Sequence, residues 1–411
     1  MQDGDERPKS DDDFESGTGF EGAAMDAGSE TFHDGTALGL PSPSSVDSES
    51  GERATFGPAE LRTVLEAFPV TLVREIREFP AGSRQAPKVR VVASEGEFLL
   101  KRREARQELV ARAIFNHRLQ LHLEAAGVPV ARLVGTVRGN RSMLLMGERV
   151  YELFEWVDGR RMVKAAPEVR HAARVLGRIH HEAADLPTED APSLAGYHAS
   201  PTVETAFERA ERAVTTADPT VDRAGLRATL QDLRRRLADA VVAVEEAGWK
   251  TAPTQPIHGD WHPGNVLFTP ERPTQRHPGV VRAVIDFDSS RVEPRLVDVA
   301  NGLLHFAMRS DPDRSPAEWP PSLSGDRIRA FLAGWLETAG PLRPHEPAML
   351  APLMIEGLVA ESIVPIARSG TFARVPGGPF LDMVRRKAVW IERNARPLRR
   401  LLERAGGAVG E

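Results

Sequence analysis

The apolar spacing of this chain changes period once, and that change limits the folds open to it. Between Val70 and Val157 the hydrophobic runs are short and strand-like: VTLVREIREF, KVRVVAS and EFLLKRR, then VARLVGTV and SMLLMGERVYELFEW. Alternation at two residues, rich in Val, Ile and Phe, marks half-buried strands. The link between the second and third runs is the tight Glu95-Gly96, and "RGNR" turns between the last two. One helical stretch, residues 104–126, separates the first three from the last two; Gly127 closes it and Pro129 stops it. Ahead of the strands, PAELRTVLEAF sets Leu61, Val64, Leu65 and Phe68 on one helical face behind Pro58.

After Gly159 the period becomes helical. Val169, Ala173, Leu176 and Ile179/His180 form one stripe, and Leu226, Leu230, Leu233, Leu237, Val241 and Val244 form another over residues 222–247. Residues 327–340, 346–369 and 378–405 read the same way. The expected fold class is α+β. A small lobe with a five-stranded antiparallel sheet spans residues 55–157, a larger, mainly helical lobe spans 158–405, and residues 406–411 form a flexible end.

Two short strand-like runs interrupt the helical part, and both carry acids: PIHGDWHPGNVLF at 256–268 and VVRAVIDFD at 280–288. The first can be read two ways. His258-x-Asp260-x-His262 on a strand offers alternate side chains to a metal, as in a metallohydrolase. Asp260 followed five residues later by Asn265 is instead a loop that brings a carboxylate and an amide into one cleft, with Pro263 and Gly264 fixing the turn. Phosphoryl transfer needs a carboxylate near the attacking hydroxyl, oxygen ligands for Mg²⁺ and a cation on the nucleotide phosphates. Asp286, at the end of an apolar strand, suits the metal, since Mg²⁺ prefers one or two carboxylates plus substrate phosphates. Lys101, inside the apolar run EFLLKRR, must either snorkel outward or meet a fixed anion. Pro263 breaks an extended strand, and the other histidines are scattered, which weighs against the metallohydrolase.

Composition narrows the rest. A chain of 411 residues implies two or more packed units, and 41% hydrophobic with 27% charged residues is ordinary for a soluble protein. The absence of cysteine excludes disulfides, thiolate nucleophiles and Cys-ligated zinc. Residues 1–54 read as a disordered acidic tail. Its first 52 residues hold 14 Asp/Glu against Arg7 and Lys9, a net −12, so the chain total of −6 leaves +6 for the remainder. A mildly basic body suits an anionic ligand. No dense basic stripe with interleaved aromatics is present, so no nucleic-acid partner is expected. There is no apolar N-terminal leader and no run of about 18 apolar residues. A cytoplasmic protein without a membrane partner is expected; nothing bears on its oligomeric state.

Lysine on the third strand, then His-x-Asp-x4-Asn, then Ile-Asp-x-Asp some twenty residues on, resembles the aminoglycoside phosphotransferase superfamily of kinase-like enzymes. That group includes choline kinases, type II homoserine kinases and spore-coat kinase-like proteins. The likeness extends over residues 68–400 through "GVPVARLV", "ELFEWVDGRRM", "LGRIHHEAA" and "EPRLVDVANGLLHF". It implies a protein-kinase-like two-lobe fold and transfer of the γ-phosphoryl group of ATP or GTP, with Mg²⁺, to a hydroxyl of a small molecule. Asp260 becomes the catalytic base and Asn265 and Asp286 the Mg²⁺ ligands, with Asp288 either assisting or capping the following turn. Lys101 contacts the α/β-phosphates, and the backbone of Glu155, Trp156 and Val157 forms the adenine hinge. His258 and His262 brace the loop, Asp298 anchors it, and loops over 187–222 together with the C-terminal helices contact the acceptor.

The chain departs from this pattern twice. The helix position about sixteen residues past the lysine, where the family carries a glutamate, holds Phe115, Asn116 and His117, with Glu108 and Glu124 each about two turns away. The phosphate-covering loop has only Gly82, so Ser83, Arg84 and Gln85 are its polar donors. The missing glutamate keeps a nucleotide-binding pseudokinase open as an alternative; a protein Ser/Thr kinase of the same fold is another.

Overall fold

The computed structural model describes residues 53–79, 86–163, 165–189, 191–194, 196–271, 273, 279–311 and 313–407. The tail over 1–52, and Ser83, Arg84 and Gln85 of the loop expected to cover phosphates, lie outside the described residues.

Helix α1 (Pro58–Leu65) leads into strands β1 (Val73–Glu78), β2 (Lys88–Ala93) and β3 (Glu97–Glu104), then helix α2 (Gln107–Ala125) and strands β4 (Leu133–Val134), β5 (Leu144–Met146) and β6 (Arg149–Glu155). They form an antiparallel sheet ordered β1-β2-β3-β6-β4, with β5 also on β6. The sheet has six strands rather than five because SMLLMGERVYELFEW is itself a hairpin. Met146 pairs with Arg149 across the two-residue turn Gly147-Glu148, and Gly147 takes φ +59°. A glycine first in such a turn allows the mirror-image conformation a tight hairpin needs. Val91, Leu100, Tyr151 and Leu153 from the sheet meet Val64, Leu65 and Phe68 to make one apolar core. Glu60 of α1 ties that layer to the sheet by accepting from Arg102 at 2.8 Å and from the Tyr151 hydroxyl at 2.7 Å.

The remainder is mostly helical: α3 (Ala166–Glu182), α4 (Pro201–Ala217), α5 (Arg223–Glu246), α6 (Leu296–Ala307), α7 (Gly325–Leu336), α8 (Glu346–Ser369), α9 (Gly377–Arg393) and α10 (Ala395–Gly407). Helix α8 packs against α4, α5, α6, α9 and α10. It is apolar and long enough to cross a membrane, but 94% of its most apolar window is buried, so it is a core helix. Leu119 and Leu123 of α2 belong to this second core, while His117 of the same helix bonds Glu152 of β6, so α2 ties the sheet to the helical part.

Helix α4 occupies a segment expected as loops. Val203, Ala206, Phe207, Ala210 and Val214 form its buried stripe. The helix expected over 378–405 breaks at Asn394. Pro397 lacks an N–H and its ring would strike the carbonyl four residues back in a continuous helix. Residues 406–407, expected in a flexible end, close α10.

Between α5 and α6 lie four short strands: β7 (Gln255–Ile257), β8 (Val266–Phe268), β9 (Val281–Val284) and β10 (Arg291–Glu293). Strand β7 pairs with β10, and β8 with β9. The segment 258–265 is thus a loop strung between two small ribbons. A last pair, β11 (Thr371–Phe372) and β12 (Val375–Pro376), joins α8 to α9.

Candidate active site

The loop after β7 is held by α6. Buried Asp298, in the first turn of that helix, accepts from the backbone N–H of His258 and of Gly259, each at 2.8 Å, and from His180 Nε2 at 3.2 Å. Trp335 Nε1 donates to His180 Nδ1 at 3.0 Å, which leaves Nε2 to carry the proton toward Asp298. Burial raises the cost of charge on Asp298, but His180, His258 and the Gly259 N–H outweigh it and hold the carboxyl below its usual range. Gly259 itself has φ +78°, and a Cβ there would stand 2.1 Å from the Ser289 carbonyl. Only glycine fits this crossing.

Both ring nitrogens of His258 are taken by backbone, Nε2 by the Ile285 carbonyl at 3.2 Å and Nδ1 by the Asp260 N–H at 3.3 Å. His262 Nδ1 accepts from the Gly264 N–H at 2.9 Å and caps the turn Pro263–Asn265. The histidines are therefore bracing groups, and the alternating metal-ligand reading fails because these residues do not lie on a strand. Among the described residues no group of three or more His, Asp or Glu is placed to hold a metal by itself.

Asp260 is buried, with its Oδ2 at 3.1 Å from Asn265 Nδ2 and 3.5 Å from His262 Nε2. Burial opposes its charge, yet His262, His258 and His305 together keep its carboxyl below the ordinary value. The same attraction raises His262 against its own burial. Asn265 Nδ2 also donates to the Asp260 carbonyl at 3.0 Å, so the amide oxygen is the end left to a cation.

Asp286 follows β9 with φ +62°, a left-handed conformation that a non-glycine residue keeps only where its surroundings enforce it. Its side chain is exposed, and among the described residues it makes no ion pair. The amide oxygen of Asn265 and the open carboxylate of Asp286 are hard oxygen donors, and they fit Mg²⁺. Asp288, expected as a possible further metal ligand, is committed elsewhere: it pairs with Lys101, and Arg103 Nη2 reaches its Oδ1 at 2.9 Å. Burial is again outweighed, here by Arg103 and Lys101, and the carboxyl sits well below the usual range.

Lys101 is buried on β3, and the acid missing from α2 stands opposite it on β6: Glu152 is its cross-strand partner. Directly opposed residues share a face with Cβ atoms about 5 Å apart. Glu152 is almost fully buried, and it binds Arg103 Nε and His117 Nε2, each at 2.6 Å. Burial opposes its ionisation, but Arg103, the His117 hydrogen bond and Lys101 bring its carboxyl down to about 2. The helix position of the absent glutamate thus carries His117, which orients a carboxylate from the sheet.

A further cation escaped the sequence reading. Lys88 on β2 faces Lys101 directly. Burial and the Lys101 charge lower its pKa, with Asp286 and Asp288 pulling the other way. At the C-terminal end of β6, the N–H groups of Glu155 and Trp156 are taken by the carbonyls of Arg132 (2.9 Å) and Glu97 (2.8 Å). Of the three expected hinge residues, Val157 is the one whose N–H has no backbone partner among the described residues.

A carboxylate with an open oxygen, an amide and a carboxylate suited to a cation, and a lysine paired with Asp288 come together on a protein-kinase-like two-lobe fold. A model of the phosphotransferase enzyme family matches residues 75–343, and the chain belongs to that family of phosphotransferases. No curated protein matches by sequence. Among solved structures, an aminoglycoside phosphotransferase from Alicyclobacillus acidocaldarius is similar at 18% identity and TM-score 0.59, covering 87% of this chain and 98% of that one. A spectinomycin phosphotransferase in complex with ADP and spectinomycin is similar at 12% identity and TM-score 0.54, over 83% and 100%. Choline kinase from Cryptosporidium parvum follows at 11% and 0.52, over 84% and 98%. At these identities the likeness establishes the fold.

Proposed function

We propose that this protein transfers the γ-phosphoryl group of ATP to a hydroxyl of a small-molecule acceptor, acting in the cytoplasm. The observation that carries the reading is Asp260. Its Oδ2 is occupied by Asn265 and faced by His262, its Oδ1 has no partner among the described residues, and its charge is maintained in a buried setting. A carboxylate so held can orient an acceptor hydroxyl and take its proton. The acceptor oxygen forms its bond to the γ-phosphorus, the bond from that phosphorus to the β,γ-bridging oxygen breaks, ADP leaves, and the proton resides on Asp260.

Asn265 and Asp286 would hold Mg²⁺. When bound, the metal neutralises phosphate charge. Lys101 and Lys88 supply cations on the sheet side of the phosphates, with Glu152 and Asp288 fixing the first of them. The Val157 N–H is the adenine donor. The relatives with small-molecule acceptors named above, spectinomycin and choline, support an acceptor of that size.

The pseudokinase alternative drew on the missing helix glutamate, and the Glu152–Arg103–His117 set supplies an acid in its place. Asp260→Asn is expected to leave Mg-ATP binding within about threefold while lowering turnover by a factor of 10³ or more, on the order expected when a general base is lost from a positioned site. Turnover in Asp260→Asn equal to that of the parent protein, read by ADP release, would remove Asp260 from the chemistry.

A further inference from the structure

The acceptor side of the helical part carries two kinds of charge, and they are treated differently. Its buried carboxylates are matched: Glu361 with His305 at 3.0 Å, Glu356 with His198 at 3.0 Å, and Glu293 with Arg291 at 2.6 Å. Beyond the last residue of α6, Arg309 and Arg327 form no ion pair among the described residues.

Helix α6 ends at Ala307, and the chain from Met308 to Arg327 folds back over its C-terminus around a cavity of about 430 Å³. Arg309, Arg314 and Arg327 line it, with Asp311, Glu318 and Trp319. Arg327, half-buried in the first turn of α7, donates to the Phe306 carbonyl at 3.1 Å. Arg309 donates to Ser322 Oγ at 3.0 Å. Behind the wall, Lys387 of α9 is completely buried and donates to the carbonyls of Pro320 at 2.8 Å and Arg309 at 3.4 Å.

The cations facing Lys387 are Arg386, itself paired with Asp382 at 3.1 Å, Arg309 and Arg327. Burial first, then these neighbours, bring its ammonium down to about 7. Among the described residues, Arg309, Arg327 and Lys387 form no ion pair. Arg314 answers Asp311 at 3.3 Å, which leaves the exposed Glu318 as the remaining acid of the lining. Arg309, Arg327 and Lys387 thus gather in and behind a concavity whose two acids leave the lining with an excess of one cation, and such a place suits an anion.

The location ties the cavity to the reaction. Arg309 follows His305 by four residues, the His305 ring lies 5.7 Å from that of His262, and His262 stands beside Asp260. Helix α6 therefore anchors the loop over 258–260 at its start, and the cationic cavity lies just past its last residue, Ala307. We propose that the phosphoryl acceptor carries an anionic group, a carboxylate or phosphate, that seats in this cavity against Arg309 and Arg327. The proposal rests on the kinase reading above and narrows it to acidic acceptors.

Two measurements on the full chain test it. With the nucleotide site saturated by Mg-ADP, inorganic phosphate titrated calorimetrically is expected to bind, and Arg309→Gln and Arg327→Gln each to weaken it by about tenfold. Arg309 is exposed, so its variant keeps the fold. Succinate in place of phosphate tells a carboxylate site from a phosphate site. Failure of both anions to bind, or binding unchanged in the double variant, overturns the site. Next, ADP release is followed with hydroxy acids, sugar phosphates, neutral polyols and amino alcohols. Turnover is expected with the first two classes, with KM rather than kcat rising in Arg327→Gln. A neutral or amine-bearing acceptor used better than any acid overturns the proposal. Phosphate binding without turnover of any class contradicts the kinase reading and, with it, the assignment of the cavity to an acceptor.

Discussion

His262 and Asp260 set each other's charge. The histidine is raised because the carboxylate attracts its proton, and the carboxylate is lowered because the histidine stabilises its charge, in both cases against burial. If Asp260 is the base, it must be ionised to act, and His262→Gln removes a contribution that keeps its pKa low. The acidic limb of the kcat–pH profile is therefore expected to move to higher pH in His262→Gln. A limb that stays in place, or moves down, would show that this pair does not set the ionisation of the base. Asp260 and Asn265 were legible in the sequence because a fixed spacing with Pro263 and Gly264 between them announces a loop. Glu152 and Lys88 were not, because each is a lone charge in a strand and gains meaning only from what stands across the sheet. Asp288 was half legible: its position beside Asp286 suggested metal, while its partners Lys101 and Arg103 come from a strand nearly two hundred residues away in sequence.

At the scale of elements, β2 and β3 place Lys88 and Lys101 in direct opposition. Like charges directly opposed across a sheet cost roughly 0.2–1 kcal/mol. Lys88→Ala is expected to stabilise the nucleotide-free protein by about that amount. If Lys88 faces the nucleotide phosphates as proposed, the same change is expected to weaken Mg-ATP binding by about tenfold. Denaturant melts and nucleotide titrations read the two effects separately. A variant that is less stable and binds Mg-ATP unchanged would make Lys88 a structural residue. The strand pattern of this sheet was readable from alternation, except at the Gly147-Glu148 hairpin, where a two-residue turn hid inside one apolar run. Helix α4 was missed although Val203, Ala206, Phe207, Ala210 and Val214 carry the right spacing; flanking proline and short polar residues made the segment look like a loop. The break at Asn394 follows from Pro397, a signal present in the sequence and not used.

For the molecule as a whole, one apolar core lies under the sheet and another fills the helical part, and the candidate site draws on both sides. Lys88, Lys101 and Glu152 come from the sheet, while Asp260, Asn265 and Asp286 come from the small ribbons of the helical part. The change of hydrophobic period at Gly159 already implied this division of labour. What it could not supply was contact between distant elements, such as His117 on Glu152 or Asp298 on the loop after β7. A nucleotide with its metal would touch both sets of residues, and so should stabilise the entire fold. The most direct measurement is the unfolding free energy of the full chain with Mg-ATP, with ATP alone and with neither, repeated for Asp286→Ala. At one hundred times its dissociation constant, Mg-ATP should add about 2.7 kcal/mol to the parent protein. ATP alone, or Mg-ATP with Asp286→Ala, should add far less. An equal gain in Asp286→Ala, or none in the parent protein, would contradict a metal-nucleotide site built from these residues.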